Sequence, residues 1–137
     1  MFRTMLVEDH AGFRKTFKII LQSRFPLMDI VEAVDGVEAL RKVESLHPDL
    51  IFMDIGLPGE NGLELTRKIK SNHPAIIIVI LTSFDSPEYR ETAMQYKADY
   101  FLSKASITDH EILTLIESIL SEKGFNVNGS DGGSAKT

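Results

Sequence analysis

The chain has 137 residues, with 15 Lys and Arg against 20 Asp and Glu, so it carries a formal charge of -5 and suits one domain with its own core. The acid excess argues against binding nucleic acid or an anionic membrane through bulk charge. Cysteine is absent, which excludes disulfide frameworks, thiolate zinc sites and cysteine nucleophiles and fits a reducing cytoplasm. No apolar run reaches the ~20 residues needed to cross a bilayer. Met1 to Met5 lead almost directly into an acidic pair, so no signal peptide is expected.

Short apolar runs alternate with helical patterns five times. Thr4 to Val7 predicts a first strand. Residues 11 to 24 place Phe13, Phe17, Ile20 and Leu21 at helical spacing, with Arg14, Lys15, Lys18 and Gln22 between them. Asp29 to Val34 reads as the second strand. Asp35 can cap a helix carrying Val37, Leu40 and Val43, which His47-Pro48 breaks. Leu50 to Met53 is apolar throughout and predicts the third strand. A turn rich in Gly and Pro follows, and Asn61 with Glu64 suits the start of a third helix. Ile76 to Leu81 is the strongest strand signal. Ser86-Pro87 supplies an N-cap and a proline at the first position of a fourth helix. Tyr100 to Leu102 predicts the fifth strand. Thr108 with Glu111 forms a capping-box pattern for a fifth helix, which Gly124 ends.

Strands without polar alternation are covered on both faces, which marks a parallel sheet between helices. Five strand-helix units predict an α/β domain over residues 1–121: a doubly wound, five-stranded parallel sheet with helices on both faces. Residues 122–137 hold four of the nine glycines and predict a flexible Gly/Ser-rich tail or the stub of a linker.

In such a sheet, functional groups gather at the carboxyl ends of the strands. Glu8 and Asp9 follow the first strand, Asp54 the third, Thr82 the fourth and Lys104 the fifth. Any one of them is unremarkable, because polar residues commonly follow strands. Together they place three carboxylates, a hydroxyl and an ammonium at one rim. Clustered acids repel unless a cation compensates them. Mg²⁺ suits a few carboxylates, and an Asp beside it and a Lys can act as a phosphate-accepting nucleophile.

The stretches Leu6-Val7-Glu8-Asp9-His10, Met53-Asp54 through Asn61-Gly62, Leu81-Thr82-Ser83 and Ala98 to Lys104 together resemble the receiver domain of two-component response regulators. The resemblance covers roughly residues 3 to 121. The opening Glu-Asp-His and the Phe-Arg of the first helix resemble the NarL/FixJ branch, whose members often carry a C-terminal helix-turn-helix that these 137 residues do not contain. The resemblance implies the flavodoxin-like strand order 2-1-3-4-5. It implies Asp54 as phosphoacceptor and Mg²⁺ held by Asp9, Asp54, the Gly56 carbonyl and Glu8, the last directly or through a water. Lys104 would neutralise the phosphoryl group and Thr82 would hydrogen-bond it. Phe101 would be the aromatic that turns inward when Thr82 moves. The donor would be a histidine kinase or phosphotransfer protein. The output would pass through the face of the fourth helix, fifth strand and fifth helix, to a partner, a second copy or a further domain. The chain would thus be a switch that catalyses only its own phosphoryl transfer, with slow self-dephosphorylation, since Gly56 and Phe84 at the water approach offer no hydrogen bond to an attacking water.

Three departures from the family pattern stand out. Glu8 replaces the commoner Asp, Phe101 lacks the hydroxyl of the frequent Tyr, and Ala105 stands where many receivers have Pro, leaving the geometry of the Lys104-Ala105 bond open. A hydrolase with an aspartyl-phosphate nucleophile would need two Asp spaced by one residue after the first strand, and Glu8-Asp9 is adjacent. A flavin-type binder needs a phosphate-cradling loop there, and this loop is acidic. A receiver kept only for protein contacts would not need all five site residues. His10, His47, His73 and His110 are scattered and read as structural. On the fifth helix, Ile112, Leu115, Ile116 and Ile119 predict the buried stripe, with Leu113 and Leu120 left over as apolar surface for a partner.

Overall fold

The computed structural model describes residues 1–126. Five strands alternate with five helices: β1 (Arg3–Val7), α1 (Ala11–Arg24), β2 (Asp29–Ala33), α2 (Gly36–Leu46), β3 (Leu50–Met53), α3 (Gly62–Asn72), β4 (Ile77–Thr82), α4 (Pro87–Gln95), β5 (Tyr100–Ser103) and α5 (Asp109–Glu122). All strand pairs are parallel, in the order β2-β1-β3-β4-β5. The chain leaves β1 toward one edge and returns through β3 toward the other, so the switch point lies between β1 and β3.

Two apolar cores flank the sheet. On one face Val43, Leu65, Ile69 and Ala93 of α2, α3 and α4 pack on Met5, Ile51, Ile78 and Ile80. On the other, Phe17 and Leu21 of α1 and Ile112, Ile116 and Ile119 of α5 pack on Leu6, Phe52, Val79 and Leu81. Strand residues alternate between these cores, which is why β3 is apolar at every position and β4 at every position before its last, Thr82. The edge strands β2 and β5 are only half-buried over most of their length, and β2 accordingly carries Asp29 and Glu32.

Helix ends follow the local chemistry. Asp35 accepts the Glu38 amide, Asn61 accepts those of Leu63 and Glu64, and Thr108 and Glu111 form both bonds of a capping box. Ser86 stands at the N-cap of α4 but makes no side-chain cap bond. Helix α2 ends on His47 in the left-handed region, at φ 48°. Among the described residues no peptide bond is cis, so Lys104-Ala105 is trans.

Two expectations change. Leu120 belongs to the core and is fully buried, while Leu115 is only half-buried. At 100° per residue the buried face of α5 is turned by roughly 35° from the expected stripe. The cause lies just past the helix. The Phe125 amide donates to the Leu120 carbonyl at 2.8 Å, and the Phe125 ring meets Phe2 edge-on at 5.2 Å. This return contact closes the chain over Leu120. Of the tail expected from 122 on, Glu122 to Gly124 are exposed and Phe125 and Asn126 are half-buried. The rest of that expected tail, from 127 on, lies outside the described residues.

Candidate functional site: an acidic pocket at the carboxyl edge

The site is built by continuing the sheet one residue past its strands. The Glu8 amide donates to the Ala33 carbonyl at 3.0 Å, the Asp54 amide to Val7 at 3.1 Å and the Lys104 amide to Thr82 at 2.9 Å. Each of these three residues is therefore fixed by backbone to the neighbouring strand. Glu8 and Asp54 are buried and Asp9 is exposed. Oxygens of Glu8, Asp9 and Asp54 all lie within 4.8 Å of one another, and among the described residues no other group of three His or acidic side chains gathers this way.

Lys104 bridges the acids unequally. Its Nζ lies 2.7 Å from Glu8 Oε1 and 3.5 Å from Asp54 Oδ2, and sits 4.1 Å above the Phe13 ring. Burial pushes the Glu8 carboxyl above its ordinary value, and the Asp54 charge pushes the same way. The hydrogen bonds from Lys104 and the His10 amide oppose that rise. Arg14 supports the same corner by donating to the Glu8 carbonyl at 2.7 Å while pairing with Glu32 at 2.9 Å.

Thr82 is fully buried, and its hydroxyl accepts the Phe84 amide at 3.2 Å. Gly56 is exposed, with its amide 3.5 Å from Asp54 Oδ1. A Cβ added at Gly56 would overlap the Phe84 ring, so that ring lies directly against the glycine. Phe101 is half-buried against the core, with the Arg90 guanidinium 4.7 Å above its ring. The structure thus gathers Glu8, Asp9, Asp54 and Lys104 in direct reach, with Thr82, Gly56 and Phe101 on the adjoining elements. Sequence reasoning missed the Phe13 and Arg14 contacts, the Ser103 and Asp85 pair described below, and Gly62. A Cβ at Gly62 would overlap the Asp54 carbonyl oxygen. For Gly62, its place as the first residue of a capped helix right after the acidic turn was the available signal. The donor set is all oxygen, hard and anionic, and therefore fits Mg²⁺ better than a thiophilic or imidazole-seeking ion.

Residues 4–117 match the response regulator receiver domain family. The chain belongs to that family. This receiver is 35% identical over 118 residues to the oxygen regulatory protein NreC of Staphylococcus aureus, a match covering 85% of this chain and 54% of that protein. It therefore spans about half the length of the curated relatives it matches. Among solved structures, the receiver is similar to a LuxR-family two-component response regulator from Aurantimonas, at 30% identity and TM-score 0.79, covering 98% of this chain and 96% of that one. It is also similar to the response regulator TrrA of Thermotoga maritima, solved in complex with Mg²⁺-BeF, at 31% identity and TM-score 0.76, covering 88% and 100%. Among the described residues, no helix is long and apolar enough to cross a membrane.

Proposed function

We propose that Asp54 is the phosphoacceptor of this receiver, that its donor is a phosphohistidine on a histidine kinase or phosphotransfer protein, and that the relay runs in the cytoplasm. The observation that carries the reading is the meeting of Glu8, Asp9 and Asp54 within 4.8 Å, beside Lys104. Asp54 is the central member, since it alone is both buried in the cluster and within reach of Lys104 and the Gly56 amide.

In the transfer, an Asp54 carboxylate oxygen attacks the phosphorus. The new P–O bond forms as the P–N bond to the donor imidazole breaks. The imidazole leaves with the electron pair and holds a proton, so the acyl phosphate gains the charge. Lys104, near both acids, exchanges its Glu8 contact for a phosphoryl oxygen, and the Thr82 hydroxyl donates to another. Asp9, Asp54, the Gly56 carbonyl and Glu8 would hold Mg²⁺, and TrrA with Mg²⁺-BeF supports that assignment. When bound, the ion supplies a Lewis acid that offsets charge on the transferring oxygens. Self-dephosphorylation is slow, because neither Gly56 nor the Phe84 ring can orient a water by hydrogen bonding.

Asp54→Ala, treated with acetyl phosphate and Mg²⁺, is expected to take no acid-stable label, whereas the parent is labelled. Label of equal yield on the variant rejects Asp54. Mg²⁺ titration is expected to raise the parent's melting temperature, since a ligand at about 100 times its Kd adds ~2.7 kcal/mol. Asp9→Ala is expected to lose that rise. A parent that melts at the same temperature with and without Mg²⁺ rejects the metal assignment.

The output surface we assign is the α4-β5-α5 face. With Leu120 in the core, its apolar contribution comes from exposed Tyr89 and Met94 of α4 and half-buried Leu113 of α5. Its link to the site is Phe101 beneath Arg90. It serves a second copy, an output partner or a further domain of a longer protein. Met94→Glu is expected to weaken self-association or partner binding of the phosphorylated form at least about tenfold, while leaving labelling intact. Unchanged association in sedimentation and in partner titration excludes the face.

A further inference from the structure

The segment between β4 and α4 is held at three consecutive points. The Phe84 amide donates to Thr82 Oγ1, the Phe84 ring lies on Gly56, and the Asp85 carboxylate accepts from Ser103 Oγ at 2.6 Å. Ser103 ends β5, is 4% exposed, and also accepts the Ala105 amide at 3.3 Å. A hydroxyl donating to a carboxylate at that distance is in the short, charge-assisted class. This bond crosses between the loop that follows Thr82 and the loop that starts at Lys104. It also turns a fourth acid, Asp85, onto β5 and out of the Glu8, Asp9 and Asp54 cluster.

We propose that the Ser103–Asp85 bridge is a positioning device that holds the Phe84 ring against Gly56 and so restricts water at Asp54. Ser103 touches no reacting atom and acts through Phe84. The backbone of Asp85 directly follows Phe84, so pinning the Asp85 side chain to a rigid strand limits where the ring can go. Without the bridge, the segment keeps the hydrogen bond from the Phe84 amide to Thr82 and the edge-on contact of the Phe84 ring with Tyr89 of α4 at 6.0 Å, neither of which ties it to β5. Release of the ring uncovers Gly56, which has no side chain to replace it. The proposal deepens the assignment of Asp54 as phosphoacceptor and rests on it.

The first test needs no phosphorylation. A ring packed on Gly56 displaces that residue's amide and α-proton resonances. Ser103→Ala and Asp85→Ala are each expected to abolish the displacement, and Ser103→Thr, which keeps the hydroxyl, to retain it. The second test follows loss of label from the phosphorylated protein in Mg²⁺ buffer. Losing a charge-assisted bond shifts the loop equilibrium by about tenfold, so Ser103→Ala is expected to lose label faster by about that factor. In a Phe84→Ala background the same substitution is expected to add nothing, because the ring is the effector. That non-additivity is the signature a merely structural serine would not give. Gly56 resonances that stay put in both alanine variants overturn the bridge, as does a displaced resonance with an unaltered rate of label loss. A parent that takes no label at Asp54 overturns the phosphoacceptor assignment instead, while the Gly56 resonances still report on the bridge itself.

Discussion

Lys104→Met is expected to destabilise the protein in metal-free buffer by about 2–3 kcal/mol. The ammonium is the cation nearest Glu8 and Asp54, whose side chains are 6% and 10% exposed. Removing one member of a buried pair strands the other, and here it strands two carboxylates that also repel each other. The figure sits below the range for fully enclosed pairs because Lys104 is itself 16% exposed, so water screens part of the interaction. Adding Glu8→Gln to Lys104→Met is expected to restore most of the loss, since the neutral amide needs no counter-charge. Urea melts of the four proteins make the cycle. Additive effects, or a Lys104→Met variant as stable as the parent, reject the view that the lysine compensates this pocket before any phosphoryl group arrives.

Gly62→Ala is expected to cost about 3 kcal/mol and to slow labelling of Asp54. Its Cβ would overlap the Asp54 carbonyl oxygen and stand 2.8 Å from the Asp54 carbonyl carbon and 2.9 Å from Met53 Cγ. Only the side-chain contact can yield cheaply. Two of the three are backbone atoms of Asp54 itself, so relief must come from moving either α3 or Asp54. Gly12→Ala is the matched control. It also lies in a helix, nothing stands within 4 Å of its Cβ, and alanine is the better helix former there by about 1 kcal/mol. Thermal melts are expected to move in opposite directions for the two variants. A Gly62→Ala protein as stable as the parent and labelled at the parent's rate would mean that α3 does not press on the site.

Both predictions turn on contacts that differ in how far they could be read from residues alone. Strand-helix alternation was legible because β3 is apolar throughout, β4 is apolar up to its last residue, Thr82, and both are bounded by turn residues. The convergence of Glu8, Asp9, Asp54 and Lys104 was legible because each directly follows a strand, and a parallel sheet brings strand ends to one rim. The Ser103–Asp85 bridge was not, because it joins the last residue of β5 to an irregular loop 18 residues earlier, and no periodicity dictates where a loop side chain points. Phe13 was readable as an apolar helical position, but its ring beneath Lys104 depends on how far α1 is rotated on the sheet. The same indeterminacy misplaced Leu120. A helical wheel gives the width of an apolar face but only an approximate centre, and in α5 the centre was moved by Phe125, beyond the helix. Gly62 could be marked by its place at the start of a capped helix, but its reason, the backbone of a residue eight positions earlier, shows only in the fold.

Helix α4 is the least anchored of the five. It has nine residues, of which Ala93 alone is buried, and its N-cap serine makes no side-chain bond. The other helices each insert at least two buried residues beneath them. Detaching α4 therefore exposes one buried side chain, Ala93, and gives up the half-exposed contacts of Arg90 with Phe101 and of Tyr89 with Phe84, while the sheet and the other four helices stay intact. In free-energy terms the molecule has a rigid chassis and one loosely hinged panel, and the cheapest excursion from its ground state lies there. A message starting at the acidic rim need not remodel the fold. It has only to change how often that panel is open, a dial with a range of a few kcal/mol that a single added phosphoryl group is strong enough to turn.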